Sequence, residues 1–139
     1  MYLFDSDICV RILRNRAATL ESQLKAHAEV LFTSTVVRHE LMHGALMSER
    51  PIDQRAAVEA LLDRLQVLDF DEAAADHAAD IKADLQRRGL MIGANDLLIA
   101  GHARSRALIV VTGNLREFGR VDGLRCEDWP AGPAGPYLS

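Results

Sequence analysis

Short apolar runs alternate with longer segments of helical periodicity along this chain of 139 residues, and this alternation limits the fold more than any other feature. Runs that are apolar on both faces and are separated by helices are typical of a parallel sheet with helices packed on either side. The runs that predict strands are residues 2–4, 29–33, 66–70, 108–112 and about 124–126. The sequence therefore predicts a three-layer α/β/α domain with a parallel sheet of about five strands.

The helices are predicted from apolar spacing and from residues that begin or end helices. Apolar residues at steps of four, three and four predict an amphipathic helix over residues 72–88, which Gly89 ends: Ala74, Ala78, Ile81 and Leu85. Other helices are predicted from about Ile8, after Ser34 or Thr35, from Pro51 and, with Asn95 as N-cap, from Asp96 to about residue 107. Each of these helices lies between two predicted strands.

Length and composition indicate a single globular domain. With 139 residues, 49% of them hydrophobic and 26% charged, the chain is long enough to bury a core and too short for two domains. We predict a domain over residues 1–129 and a flexible tail over residues 130–139, because the run from Pro130 to Pro136 contains only Pro, Ala and Gly.

Net charge and cysteine usage narrow the classes of function. A net charge of -4 speaks against a protein that coats nucleic acid by bulk charge, so any such contact should be local. Cys9 and Cys126 lie far apart without a metal-binding spacing or a disulfide framework. No apolar run approaches the roughly 20 residues needed to cross a bilayer. We therefore expect a cytoplasmic protein that does not interact with membranes.

Polar side chains converge on one predicted edge of the sheet. Asp5 and Asp7 follow the first strand, and Thr112 and Asn114 follow the most apolar one. Asp96 should lie nearby if its helix packs beside the sheet. Because ligands of such folds bind where the strands end, this edge is the expected site.

Glu40 is predicted to point inward from its helix. At about 100° per residue and with Val36 at zero, Glu40 lies at about 40° and Met47 at about 20°. A carboxylate on the packing face of a helix is costly unless it is paired, hydrogen-bonded or bound to a cation. Since Asp5, Glu40 and Asp96 repel one another, gathering them makes sense mainly around a hard divalent cation such as Mg2+ or Mn2+. The implied chemistry is phosphodiester hydrolysis by metal-activated water.

Simpler roles for the same acids stay open. Asp5 and Asp7 suit turns and helix N-caps, and Asp96 would oppose the dipole of its own helix. Glu117 lies beside Arg116 in a charged loop, where a carboxylate is usually solvated.

A second hypothesis is a zinc metallopeptidase. The run His39-Glu-Leu-Met-His43 has the form H-E-x-x-H, in which two histidines one helical turn apart bind zinc and the glutamate, here Glu40, activates water. The third ligand would have to be Glu59 or Asp63, both in an otherwise ordinary helix. This hypothesis leaves the acids at the sheet edge without a function.

Four segments of the chain resemble the motifs of a known family in order and spacing. They are Leu3-Phe-Asp-Ser-Asp-Ile-Cys9, Ser34-Thr-Val-Val-Arg-His-Glu-Leu-Met-His-Gly-Ala45, Ile92-Gly-Ala-Asn-Asp-Leu-Leu-Ile-Ala100 and Val111-Thr-Gly-Asn-Leu-Arg-Glu-Phe118. Over about residues 1–129 the chain resembles the PIN-domain ribonucleases, in particular the VapC toxins of bacterial toxin–antitoxin pairs. The fold of that family, a parallel sheet of about five strands between helices, agrees with the fold predicted from the strand and helix pattern.

The resemblance implies a site and partners. It makes Asp5, Glu40 and Asp96 the catalytic acids that bind Mg2+ or Mn2+. It places Ser6 beside the metal and Thr112 and Asn114 at the mouth of the site. It also implies an RNA substrate, a homodimer, and a VapB-like antitoxin whose C-terminal segment wraps the toxin and blocks its site.

Two positions depart from the family pattern. Asp7 stands where the family commonly has Asn, which adds a negative charge beside Asp5. Asn114 stands where many PIN domains have a fourth acid, so Glu117 is the candidate to replace it. A catalytically inactive PIN domain that only binds a partner therefore remains an alternative.

Overall fold

The computed structural model describes residues 1–14, 24–26 and 31–129, so the predicted tail over residues 130–139 lies outside the described residues. Within these ranges the strands are β1 (Tyr2–Phe4), β2 (Leu31–Ser34), β3 (Gln66–Leu68), β4 (Ile109–Val111) and β5 (Cys126–Glu127). They form one sheet in the order β3-β2-β1-β4-β5, and every neighbouring pair is parallel. The predicted five-stranded parallel sheet is confirmed.

Helices cover both faces of this sheet. They are α1 (Ser6–Leu13), α2 (Thr35–Leu46), α3 (Pro51–Leu62), α4 (Glu72–Arg88), α5 (Ala94–Ser105) and α6 (Leu115–Phe118). The first three contact one another, and α4 packs along α5. The result is the predicted three-layer α/β/α arrangement.

In the part of the chain that the structure describes, we find no helix with the length and apolar character that a membrane span requires.

The core is centred on the two middle strands. Leu3 and Phe4 of β1 and Val110 and Val111 of β4 have no exposed surface. Fully burying an aliphatic or aromatic side chain of this kind contributes about 1.5–3 kcal/mol, so these strands fix the middle of the sheet firmly. The polar residues that follow them are thereby held at a defined edge.

α4 and α5 approach each other closely at one glycine. A Cβ at Gly101 would lie 2.6 Å from the backbone nitrogen of Ala78, which no side chain tolerates without a shift of the helices. This contact packs α5, the helix that carries Asp96, tightly against α4.

Helix starts and ends follow the sequence signals in several places. α4 spans the predicted residues 72–88, and Gly89 ends it with a φ of 68°. Ser34 is the N-cap of α2, where its side chain accepts a hydrogen bond from the Val36 N–H, and Pro51 opens α3.

Other predicted boundaries are wrong. α5 begins at Ala94 with Gly93 as its N-cap, so Asn95 lies inside the helix and does not cap it. β4 is limited to Ile109–Val111, and β5 begins only at Cys126. Met47, which the helical wheel directed inward, comes after the end of α2 and is 75% exposed.

Candidate active site at the carboxyl edge of the sheet

The candidate site lies where the order of the strands changes direction. β1 lies between β2 and β4. After β1 the chain forms β2 and β3 on one side of it, and then crosses over to form β4 and β5 on the other side. Crevices at such switch points are the usual binding sites of open α/β sheets. The structure brings together carboxylates from four segments here, which we call the acid edge: Asp5, Asp7, Glu40, Asp96 and Glu117.

Asp5 is the most deeply buried of these carboxylates, with 3% of its surface exposed. Its Oδ1 accepts a hydrogen bond from the Ser6 N–H at 2.7 Å, and its Oδ2 accepts one from Thr112 Oγ1 at 2.8 Å. Burial, followed by repulsion from Asp7, raises the pKa of Asp5 to about 7. Asp5 caps α1, which is one of the roles left open from the sequence, and its carboxylate is also held by Thr112 just after β4.

Glu40 reaches the acid edge from α2. Ser6 Oγ donates a hydrogen bond to Glu40 Oε2 at 3.3 Å, which joins the start of α1 to the middle of α2. Glu40 Oε1 is buried and has no hydrogen-bond partner among the described residues. The inward orientation predicted from the helical wheel agrees with this contact, and the unpartnered oxygen is free to bind a cation.

Asp96 and Glu117 share one amide group. Asn114 Nδ2 donates to Asp96 Oδ2 at 2.9 Å and also donates to Glu117 Oε2. Burial, together with the hydrogen bond to Glu117, raises the pKa of Asp96 to about 6. The hydrogen bond from Asn114 lowers the pKa of Glu117 below its usual range. The two carboxylates are therefore a coupled pair in which Asp96 holds its proton more strongly.

Glu117 is brought to the acid edge by contacts that are distant in sequence. It lies on the short helix α6, which the sequence pattern did not predict. Its Oε1 accepts a hydrogen bond from the Gly93 N–H at 3.1 Å, just before α5 begins. Glu117 therefore lies on a helix and not in a loop, and its carboxylate is partly exposed to solvent.

Asp7 is a part of the acid edge whose role the sequence left open. Its Oδ2 accepts a hydrogen bond from the Gly113 N–H at 2.7 Å, and its Oδ1 is buried without a partner in the described chain. The sequence offered one signal for it, the aspartate in a position where related motifs have asparagine.

The chemistry of these side chains can be compared with the needs of a metal ion. The donors are all oxygens, as hard divalent cations prefer, and two of them are buried without partners. Burial, together with neighbouring carboxylates, raises the pKa values of Asp5 and Asp96, so binding of a cation would favour their charged forms. Within residues 1–14, 24–26 and 31–129, however, no three Asp, Glu, His or Cys side chains already stand as a ligand cage. The oxygen donors of the acid edge are thus of the chemical type that binds a divalent cation.

The zinc-binding arrangement predicted from H-E-x-x-H is not formed. His39 and His43 are both exposed on α2, whereas Glu40 between them is directed to the acid edge. Glu59, a candidate third ligand, is an exposed neighbour of Arg55, with 3.6 Å between its Oε1 and Arg55 Nε. The metallopeptidase alternative is therefore not supported.

A groove adjoins the acid edge between the first three helices. Its volume is about 440 Å³, and Glu40 lines it at the acid edge. Apolar residues of all three helices line much of it, among them Val10, Leu41 and Val58, together with polar residues such as Arg14 and Gln54. We call it the α1–α3 groove.

Fold and site together define an α/β protein with an acidic, oxygen-only site, and comparison with known proteins gives its family. The sequence model of the PIN domain family matches residues 2–124. The chain therefore belongs to the PIN domain family, as its motifs predicted. Nucleases of this family generally depend on a divalent metal ion.

Curated relatives match the chain over nearly its whole length. It is 43% identical over 128 residues to the tRNA(fMet)-specific endonuclease VapC of Shigella flexneri, a match that covers 92% of this chain and 97% of the relative. It is 41% identical over 128 residues to ribonuclease VapC2 of Haemophilus influenzae, with the same coverage. The predicted class, an enzyme that hydrolyses RNA, agrees with these names.

Solved structures show the same architecture. A chain of the DNA-bound VapBC of Salmonella typhimurium superposes with a TM-score of 0.90 at 40% identity, covering 93% of this chain and 98% of that chain. A chain of VapBC2 from Rickettsia felis, bound to a fragment of promoter DNA, superposes with a TM-score of 0.89 at 30% identity and with the same coverage.

Proposed function

We propose that this chain is an endoribonuclease of the VapC type, the toxin of a toxin–antitoxin pair, and that the acid edge is its active site. One observation carries the proposal. Carboxylates from four separate segments meet at the ends of β1 and β4, where they are buried or hydrogen-bonded. Such a cluster is costly unless it binds a cation.

Asp5, Glu40 and Asp96 are the proposed catalytic acids and would hold Mg2+ or Mn2+. When bound, the cation supplies a water of lowered pKa and balances the charge that develops on the phosphate. Oxygen donors favour these two metals over softer ones.

The neighbouring side chains hold these acids in place. Ser6 orients Glu40, and Thr112 fixes Asp5 against the end of β4. Asn114 holds Asp96 and Glu117 together by donating to both. We propose that Ser6, Thr112, Asn114 and Glu117 form the mouth of the site.

RNA is the proposed substrate, and tRNA(fMet) is the first RNA to test, because relatives of 43% and 40% identity are named for it. Contact with the RNA backbone has to be local, since the chain carries a net charge of -4. Arg116 is exposed on α6 next to Glu117, where its guanidinium is available to a backbone phosphate.

A VapB-like antitoxin is the proposed partner, and the α1–α3 groove is the proposed seat of one of its apolar segments. Apolar side chains line much of the groove, and Glu40 belongs both to it and to the acid edge. An occupant of the groove therefore comes close to the catalytic acids. A Cβ at Gly44 would meet nothing within 4 Å, so Gly44→Leu would fill open groove space.

The antitoxin chain of the Salmonella complex serves as the binding probe for this groove. We expect Gly44→Leu to weaken its binding at least tenfold, and the exposed Ala73→Leu on α4 to leave binding unchanged. Unchanged binding by Gly44→Leu would place the partner elsewhere.

The compartment and the oligomeric state are part of the same proposal. Cys9 and Cys126 are both free thiols, which suits the reducing cytoplasm. The homodimer implied by the family resemblance stays a prediction, and sedimentation of the purified chain checks it.

Cleavage by metal-stripped protein tests the enzymatic proposal. Protein treated with EDTA is incubated with tRNA(fMet), and Mg2+, Mn2+ or Zn2+ is added back separately. We expect discrete fragments with Mg2+ or Mn2+, and none with Asp96→Asn, because this variant removes one ligand while it preserves side-chain volume. Asp53→Asn is the control, since Asp53 is an exposed first-turn aspartate of α3 that pairs with Arg50.

Two outcomes would contradict this proposal. Full cleavage by a folded Asp96→Asn protein would show that the acid edge is not the site. An absence of cleavage with every metal and with total RNA as well, alongside intact antitoxin binding, would indicate an inactive PIN domain that binds a partner.

A further inference from the structure

The turn that follows β4 is tied to the acid edge at three consecutive residues. Thr112 Oγ1 donates to Asp5, and Asn114 Nδ2 donates to Asp96. Between them, the backbone N–H of Gly113 donates to Oδ2 of Asp7 at 2.7 Å. Asp7 is thus the acid that holds the middle of the turn.

Gly113 is closely enclosed at this contact. A Cβ there would overlap Nη2 of Arg11 and would lie 2.9 Å from Oδ2 of Asp7. Arg11 is itself fixed, because its Nη1 donates to Asp128 Oδ1 and to the Trp129 carbonyl, each at 2.9 Å. Asp7 and Arg11 lie one helical turn apart on α1 and hold Gly113 between them.

The enclosure of Gly113 restricts the position of its neighbour Asn114. The Asn114 N–H donates to Thr112 Oγ1 at 2.9 Å, so the turn is short and its side chains move with its backbone. Without the Asp7 contact, the turn would keep the hydrogen bonds of Thr112 and Asn114 to the acid edge but lose the one made by Gly113. The amide of Asn114 would then have more freedom relative to Asp96 and Glu117.

We propose that Asp7 is a positioning residue for RNA cleavage, and that it acts through the Gly113 N–H to hold the Asn114 amide against Asp96. The proposal rests on the proposed nuclease function. It assigns Asp7 a role that needs a hydrogen-bond acceptor at this position and does not need the negative charge.

Two variants separate this role from a role as a further metal ligand. Asp7→Asn keeps an oxygen that can accept from the Gly113 N–H but loses the charge. Asp7→Ala loses both. Positioning predicts that asparagine restores what alanine removes, whereas metal binding predicts that both variants fail.

Steady-state cleavage of RNA provides the first measurement. We expect Asp7→Ala to lower kcat by about 10- to 100-fold with KM changed less than about threefold, and Asp7→Asn to stay within about threefold of the parent in both. Asp53→Ala is the matched control, because it also removes a first-turn aspartate but lies away from the acid edge. Parent-like kcat in Asp7→Ala, or equal losses in both variants, would overturn the proposal.

A second measurement needs neither metal nor RNA. In nitrogen-15 spectra of the metal-free protein, we expect the side-chain amide signals of Asn114 to shift in Asp7→Ala and to keep their positions in Asp7→Asn. Unchanged Asn114 signals in Asp7→Ala would overturn the positioning role. If the parent protein cleaves no RNA, the proposed function fails, while these spectra still decide whether Asp7 positions Asn114.

Gly113→Ala changes the other partner of the hydrogen bond between Gly113 and Asp7. The added Cβ would press on the side chains of Arg11 and Asp7 at this contact, while the sequence keeps all five carboxylates of the acid edge. We expect it to reproduce both the kcat loss and the Asn114 signal shift of Asp7→Ala. Should Asp7→Ala fail to fold, Gly113→Ala and Asp7→Asn carry the test, and normal kcat in Gly113→Ala would overturn the proposal.

Discussion

Thr112 Oγ1 donates a hydrogen bond to Oδ2 of Asp5 across 2.8 Å, and this bond joins the carboxyl ends of the neighbouring strands β1 and β4. The same hydroxyl oxygen accepts from the Asn114 N–H. Both partners are almost fully buried, and the bond opposes the effect of burial on the pKa of Asp5. Thr112 therefore links the central acid to the turn that carries Asn114.

Thr112→Val should impair both stability and cleavage. Valine keeps the shape of threonine but leaves a buried carboxylate oxygen and a backbone N–H without their partner. We expect the free energy of unfolding to fall by about 1–3 kcal/mol. We also expect the pKa of Asp5 to rise above about 7, because the Thr112 bond lowers it. Urea denaturation and an RNA cleavage assay measure the two effects.

Thr33→Val is the matched control for this prediction. Thr33 is equally buried and donates from Oγ1 to the Phe4 carbonyl at 2.9 Å, but it does not touch a carboxylate of the acid edge. We expect a similar loss of stability with cleavage unchanged at a temperature where the variant is folded. Equal losses of cleavage in both variants would mean that Thr112 acts only through stability.

Divalent ions should stabilise the protein more at high pH than at low pH. The pKa of Asp5 is raised to about 7 and that of Asp96 to about 6, so the folded protein holds protons that the unfolded chain releases. The contribution of these protons to stability is present at low pH and is lost as the pH rises through the two pKa values. A cation replaces the protons. We expect millimolar Mg2+ or Mn2+ to raise Tm more at pH 8 than at pH 5.5.

Calorimetry with and without the ion at each pH measures this difference. Asp5→Asn should reduce the shift at pH 8, because it removes one charge that the ion neutralises. A Tm shift of the same size at both pH values would contradict a site built on these two acids.

The layered fold could be predicted because its signals are local. Apolar runs predicted strands, and the steps from Ala74 to Leu85 with Gly89 at the end predicted α4 to the residue. The start of α5 was misplaced because Gly93 has no capping side chain. The carboxylate of Glu117, 24 residues away, accepts the Gly93 N–H instead, and no local rule predicts such a contact.

The position of the candidate site in the fold was predictable to a similar degree. Strand ends, helix phase and family motifs predicted Asp5, Glu40 and Asp96 as site residues. The fold brings these three side chains to one edge of the sheet. The contact between Asp7 and Gly113 was not foreseen. It depends on the close approach of α1 to the end of β4, which follows from packing of the whole sheet and not from residue spacing.

Two glycines should respond in opposite directions to alanine. Gly44 lies inside α2, and a Cβ there would meet nothing within 4 Å, so Gly44→Ala should stabilise the protein by up to about 1 kcal/mol. Gly89 ends α4 with a φ of 68°, where Gly89→Ala should be destabilising by about 1 kcal/mol. Urea denaturation of both variants measures the difference. Destabilisation by Gly44→Ala would mean that the helix needs its glycine for a reason other than groove space.

The buried histidine His102 should make the protein less stable in mild acid. Its Nδ1 forms a 2.8 Å hydrogen bond with Ser34 Oγ, and its Nε2 is buried without a partner among the described residues. Burial lowers the pKa of His102. Just below pH 6.5 this histidine is therefore protonated in the unfolded chain but still neutral in the folded protein. The associated stability is present above pH 6.5 and is lost as the pH falls towards the lowered pKa.

Comparison with His102→Asn isolates this effect, since asparagine can keep the contact with Ser34 and does not titrate. Between pH 7.5 and pH 5, we expect the free energy of unfolding of the parent to fall further than that of the variant. The acids at the sheet edge act in the opposite direction, but they are common to both proteins and cancel in the difference. A proton NMR titration that finds His102 with a pKa above 6.5 would contradict the prediction, because a histidine that charges readily in the folded state carries no such penalty.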